Sequence, residues 1–176
     1  ETPVSTATQS VSRLQGLVSG RQMGPSEELK RIFRECNNNP EDRIHERVKE
    51  MGQKFCAAYV NQVDEGRTNG FSMDMARKRL QLGESLYYKV LENIINDEKR
   101  RLKPDTDLSG NFDFHTSYLN FLKTRFVYII AILQQDMLHQ LLFTCCLEIV
   151  LFSYNSQRTF PWILEVFPIP PFYFYK

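Results

Sequence analysis

The chain has 176 residues, with 22 Lys and Arg against 21 Asp and Glu and a formal charge of +1. That length holds one domain with a real core and is short for two. A balance so near neutrality excludes a global field that would gather nucleic acid or an anionic membrane surface, so any binding is local.

Charge is unevenly spread, with only nine charged side chains after residue 105. The last third is therefore predicted to be covered, by this domain or by a partner. Cys36, Cys56, Cys145 and Cys146 show no disulfide-like spacing and read as reduced, buried thiols of an intracellular protein. The first twenty residues are polar and contain no signal-peptide core. The longest apolar run, Phe126 to Leu133, is far below the roughly 20 residues of a bilayer span, so none is expected.

In chain order, Val11, Leu14 and Val18 fall at helical spacing behind the possible caps Ser5 and Thr6. Ser26 is placed to cap a short helix with Leu29, Ile32 and Phe33 on its apolar side. Asn39, Pro40 and Asp42 form a strong helix start, combining a capping side chain, proline at the first position and an early acid. Ile44, Val48, Met51, Phe55 and Tyr59 then draw one stripe.

Asp64 to Gly70 is expected as a polar loop. A long helix is predicted from about Ser72 to Leu102, turning Met75, Leu82, Leu86, Val90, Ile94 and Ile95 inward and ending in the basic Lys99, Arg100 and Arg101. Lys103 to Gly110 reads as a loop. A further helix, from about Ile132 to Tyr154, is apolar around most of its circumference and is expected at the centre. Pro161, Pro168, Pro170 and Pro171 punctuate the rest. Nothing alternates like a sheet, so the fold class is all-α.

Catalytic chemistry finds little footing. The chain contains neither a glycine-rich phosphate loop nor a His-Glu-x-x-His zinc helix. Gly70-Phe71-Ser72-Met73-Asp74 begins like a nucleophile elbow but lacks its second glycine and a preceding strand, so Ser72 reads as a helix cap. His139 and Cys146 share a helical face without a third or fourth metal ligand nearby, which favours core packing. His45 and His115 have no positioned partner in sequence. Neither an enzyme nor a cofactor is predicted. Residue chemistry alone reaches a helical interaction domain.

Five separated blocks carry a resemblance. They are Thr2 to Thr8 with Ser10 to Leu14, Leu86-Tyr87-Tyr88-Lys89-Val90-Leu91-Glu92, Cys145-Cys146-Leu147-Glu148-Ile149-Val150, Phe160-Pro161-Trp162-Ile163, and Phe172-Tyr173-Phe174-Tyr175-Lys176. In this order the chain resembles the A-box of the retinoblastoma family of pocket proteins, in its p107/p130 branch. The resemblance implies a cyclin-like helical fold, with an A half packed against a B half to make the pocket. Residues 1–4 would be the end of a linker and 5–176 an A-box truncated at its C-terminus.

The resemblance also implies a nuclear transcriptional corepressor that restrains the cell cycle and holds the transactivation segment of E-two-F/DP-type transcription factors. Cyclin-dependent kinases and chromatin repressors would be further partners. By position, Glu98, Arg101 and Lys176 match family residues that contact that acidic and apolar peptide, with Lys89 a weaker candidate. An acidic peptide beside a cationic helix end would gain charge-assisted hydrogen bonds. Lys99 and Arg100 are expected nearer the solvent than Arg101. Thr2-Pro3 is a minimal proline-directed phosphorylation site.

One departure stands out. About twenty-one residues, Asn111 to Ala131, intervene where the family continues almost directly, and they read as an atypical insertion, either lineage-specific or a gene-model artefact. A second reading makes the chain a cyclin-like scaffold that binds kinases or chromatin proteins without the peptide cleft.

Overall fold

The computed structural model describes residues 3–20, 23–61, 69–101, 127–156 and 160–170. Among them every regular element is a helix: α1 (Pro3–Val18), α2 (Glu27–Glu35), α3 (Glu41–Asn61), α4 (Asn69–Arg101), α5 (residues 127–134), α6 (Asp136–Ser153) and α7 (Phe160–Val166). Thr2, the 103–110 loop, His115, residues 111–126 of the expected insertion and Lys176 lie outside the described residues.

The helix starts follow local chemistry. α1 opens on Pro3, whose fixed φ and missing N–H suit a first position. The expected caps Ser5 and Thr6 therefore fall inside the helix. Ser26 Oγ accepts from Leu29 N at 3.1 Å and caps α2. Asn39 Oδ1 accepts from Glu41 N at 2.9 Å, with Glu41 and Asp42 filling the acid-favouring first turn of α3. α4 begins at Asn69, so Gly70 and the buried Ser72 belong to its first turn and Ser72 is not the cap.

The stripes of α2 and α3 face the core as their spacing predicts, with Leu29, Phe33 and Phe55 fully enclosed. Each such side chain contributes about 1.5–3 kcal/mol relative to its exposed state. α4 packs on α1, α3 and α6, and α6 in turn touches α1, α3, α4 and α7. With neighbours on several sides, α4 buries a broader band than its spacing suggested. Ala76, Leu86, Tyr87, Tyr88, Leu91 and Ile95 are buried, whereas Met75, Leu82, Val90 and Ile94 are half-buried.

α6 is the central helix, as its composition indicates. By length and apolarity it could cross a membrane, but it carries Asp136, His139 and Glu148, and its inner side packs against four helices. Gly83 permits the close approach of α4, because a Cβ there would lie 2.7 Å from Leu147 Cδ2. Trp162 of α7 meets the edges of Phe55 and Tyr59 at 6.1 and 6.5 Å between centroids. The Arg79 guanidinium stacks 4.3 Å over Tyr154 and 5.7 Å over Tyr59, joining α3, α4 and the end of α6.

The helix expected to start near Ile132 is in fact two. Gln135, at φ −83 and ψ 93, separates α5 from α6. The break is held by a buried network in which His139 Nε2 contacts Leu133 O at 3.0 Å and Nδ1 contacts the Tyr87 hydroxyl at 2.8 Å. A carbonyl only accepts, so Nε2 carries the proton and Nδ1 accepts from Tyr87. Asp136, first in α6, pairs with Arg43 at 2.6 Å and with the largely buried Arg47.

Candidate partner-binding site

Glu98, Arg101 and Lys89 all belong to α4, which carries them past different neighbours. Glu98 accepts from Arg101 at 3.1 Å, one helical turn apart, with Arg101 78% and Glu98 23% exposed. Arg100 pairs with Asp97 at 2.7 Å, and both point into solvent. The expected order of exposure is reversed for both neighbours: Arg101 is more exposed than Arg100, which is at 70%, and Lys99 is the least exposed of the three cations, at 20%, with its Nζ 3.8 Å from Glu28 of α2. α2 reaches α4 a second time through Ser26 Oγ, which donates to Glu92 Oε2 at 2.7 Å. Lys99 therefore belongs to the seam between α2 and α4, and Arg101 to the open side.

Lys89 does not join this group. Nine residues before Glu98, at about 100° per residue, it sits on the opposite side of α4. Its Nζ donates to Leu17 O at the end of α1, the place where a cation offsets orphan carbonyls and the helix dipole. The fold thus brings Glu98 and Arg101 together and commits Lys89 to holding α1.

The candidate catalytic and metal residues resolve into packing. His139 uses both ring nitrogens within the fold, and burial first, then the nearby Arg47 charge, lowers its pKa to about 4 against the raising effect of the Leu133 carbonyl. Burial pushes the Cys146 thiol up to about 12 and raises Cys36, Cys56 and Cys145 as well, which keeps all four protonated and poor nucleophiles. No cluster of three or more His, Cys, Asp or Glu capable of holding a metal occurs among the described residues.

One feature was not anticipated from sequence. A groove of about 560 Å³ runs between α3 and α4, with Val48, Gly52, Cys56, Leu80, Glu84 and Tyr88 in its lining. Burial raises the Glu84 carboxyl above its ordinary range. The local signal was Gly52, where a Cβ would come within 3.0 Å of Leu80.

Residues 2–121 and 121–176 match the family described as Retinoblastoma-associated protein A domain. The chain belongs to that family. The two matched stretches meet inside the segment 111–131. This A domain is 46% identical over 175 residues to mouse retinoblastoma-like protein 1, covering 99% of the chain and 14% of that protein. It is 41% identical to human retinoblastoma-like protein 2, covering 99% of the chain and 13% of that protein. A more distant likeness, 25% identity over 93% of the chain and 15% of the relative, is to wheat retinoblastoma-related protein 1. The A domain therefore spans about one seventh of its relatives' length. Its all-helical architecture is consistent with the family's cyclin-like domain, and retinoblastoma-like pocket proteins are non-enzymatic regulators.

Proposed function

We propose that this A domain forms one side of a cleft that holds the acidic and apolar transactivation segment of E-two-F-type transcription factors. In this reading it works in the nucleus, as part of a corepressor that restrains cell-cycle progression, with a B half of the same protein completing the cleft. The observation that carries the reading is the Glu98–Arg101 pair at the open end of α4. An exposed ion pair contributes little to stability, so Arg101 can exchange Glu98 for a peptide carboxylate at small cost. Its planar donor pair suits a carboxylate, and its stem can lie along apolar peptide groups. Lys176 keeps its proposed role by sequence position alone.

The test is titration of an acidic transactivation peptide against assembled A and B halves. Arg101→Ala is expected to weaken binding by about 1–3 kcal/mol, the range for a charge-assisted hydrogen bond. Arg100→Ala, exposed and paired with Asp97, should change it by only a few tenths of a kcal/mol. Equal losses from both would mark a diffuse electrostatic attraction and end the specific-site reading. Residues 127–131 of the expected insertion belong to α5, where Ile129 is buried in the core, so the titration is repeated without residues 111–126 to ask whether that segment, which follows the end of α4 in sequence, obstructs the site.

A further inference from the structure

The groove between α3 and α4 keeps its charges apart. Near its middle Gly52 of α3 meets Leu80 of α4, and Glu84 Oε1 lies 3.6 Å from the point a Gly52 Cβ would take. His45 is the titratable neighbour of Glu84 toward one end, and Arg77 is the charged neighbour of Cys56 toward the other. The two helices therefore line the groove antiparallel. From His45 to Ala57 the α3 wall runs about 18 Å at the helical rise, the length of roughly five or six extended residues.

Glu84 is half-buried between these walls. Burial raises its carboxyl above the ordinary range, and among the described residues the group that favours its charge is the exposed His45. A carboxylate held among apolar groups without a donor is costly, and the cost falls when a cation reaches it. The rim has the opposite sign. Lys49 and Arg77 are exposed and stand 3.9 Å from Glu46 and Asp74 of their own helices, pairs that hold them weakly.

We propose that this groove binds a short extended segment of a partner protein, which sets one Arg or Lys against Glu84, apolar residues along Val48 and Leu80, and acidic residues toward Lys49 and Arg77. Length and charge pattern together select this occupant. A free amine or guanidine would satisfy Glu84 but leave the rim cations and most of the groove unfilled. The site is separate from the peptide reading above, because Glu84 precedes Glu98 by about 21 Å along α4.

The experiment titrates labelled peptide pools against the full-length protein by fluorescence polarisation. Each pool has Arg at its centre, varied apolar residues on both sides and Asp near both ends; a control pool has citrulline, the uncharged isostere, in place of Arg. Saturable binding is expected, about tenfold weaker with citrulline. Glu84→Gln should weaken the Arg pool about tenfold and leave the citrulline pool unchanged, a dependence that a loosened fold would not produce. Arg77→Glu should weaken the Asp-ended pool severalfold and favour a Lys-ended one. Should Glu84→Gln fail to fold by circular dichroism, the citrulline comparison and the Arg77→Glu reversal carry the test. Equal binding of the Arg and citrulline pools overturns the proposal, as does the absence of saturable binding at about 1 mM. Arginine amide binding as tightly as the pool would assign the groove to a small ligand, and dimerisation abolished by Glu84→Gln would assign it to a second copy of the chain; either result also overturns it.

Discussion

His139 offers the sharpest test of the fold's physical account, because one buried ring holds the α5–α6 break and titrates far from its usual pH. The ring is 1% exposed, and burial first, with the Arg47 charge, lowers its pKa from 6.5 to about 4. The unfolded chain therefore binds a proton at higher pH than the folded one. The stability from His139 is fully present above about pH 6.5 and is lost as pH falls toward 4. Between about pH 7.5 and about pH 5, these two pKa values correspond to a loss of about 2 kcal/mol.

Replacing His139 with Gln keeps a donor near Leu133 O and removes the titration. Urea unfolding of both proteins across this range gives the difference in slope, in which carboxylates and other histidines cancel as long as they titrate alike in both. The native protein is expected to lose about 2 kcal/mol more than His139→Gln over the interval. Parallel stability curves would refute the assignment of His139 as a neutral, enclosed ring.

The same structure sets four further outcomes, each read by chemical or thermal unfolding. Tyr87→Phe leaves His139 Nδ1 without its donor at 2.8 Å and should destabilise by about 1–3 kcal/mol. Gly83→Ala places a Cβ 2.7 Å from the fully buried Leu147, so overpacking of about 1–3 kcal/mol should outweigh a helix-propensity gain of up to about 1. Gly16→Ala, with no atom within 4 Å, should show that gain alone. Asp136→Asn removes the counter-charge of Arg47, which is 12% exposed and has Nη1 enclosed without an acceptor, and should cost about 1–3 kcal/mol.

The stripes of α2 and α3 were legible because each helix buries one side, and one-sided burial writes a three-and-four spacing into sequence. α4 was legible in extent and less so in its inward residues, since contacts with three helices spread burial over Tyr87 and Tyr88 as well as the aliphatic stripe. The α5–α6 break was not legible. Gln134-Gln135-Asp136 contains neither glycine nor proline, and the interruption is held by His139 reaching back to Leu133 and by Tyr87, 52 positions away in sequence. A tertiary contact decided a local conformation.

The candidate site divides in the same way. Lys99, Arg100 and Arg101 are a run of like charges in sequence, and only the family resemblance set Arg101 apart from the other two. Rotation by about 100° per residue then sends them to three surroundings. Lys99 turns toward Glu28 and the α2 seam, Arg100 toward Asp97 in open solvent, and Arg101 toward Glu98. A cation can serve recognition where releasing its present partner costs little. Arg101 and Arg100 both meet that condition, since each is exposed and paired within its own helix, and of the two it is Arg101 whose position matches the family contact. The condition disfavours Lys99, whose release would loosen α2, and Lys89, whose release would uncap the carbonyl end of α1. Family resemblance nominated Lys89 and Arg101 together. The packing of α1 and α2 against α4 gives the physical reason to separate a structural cation from one free to meet a partner.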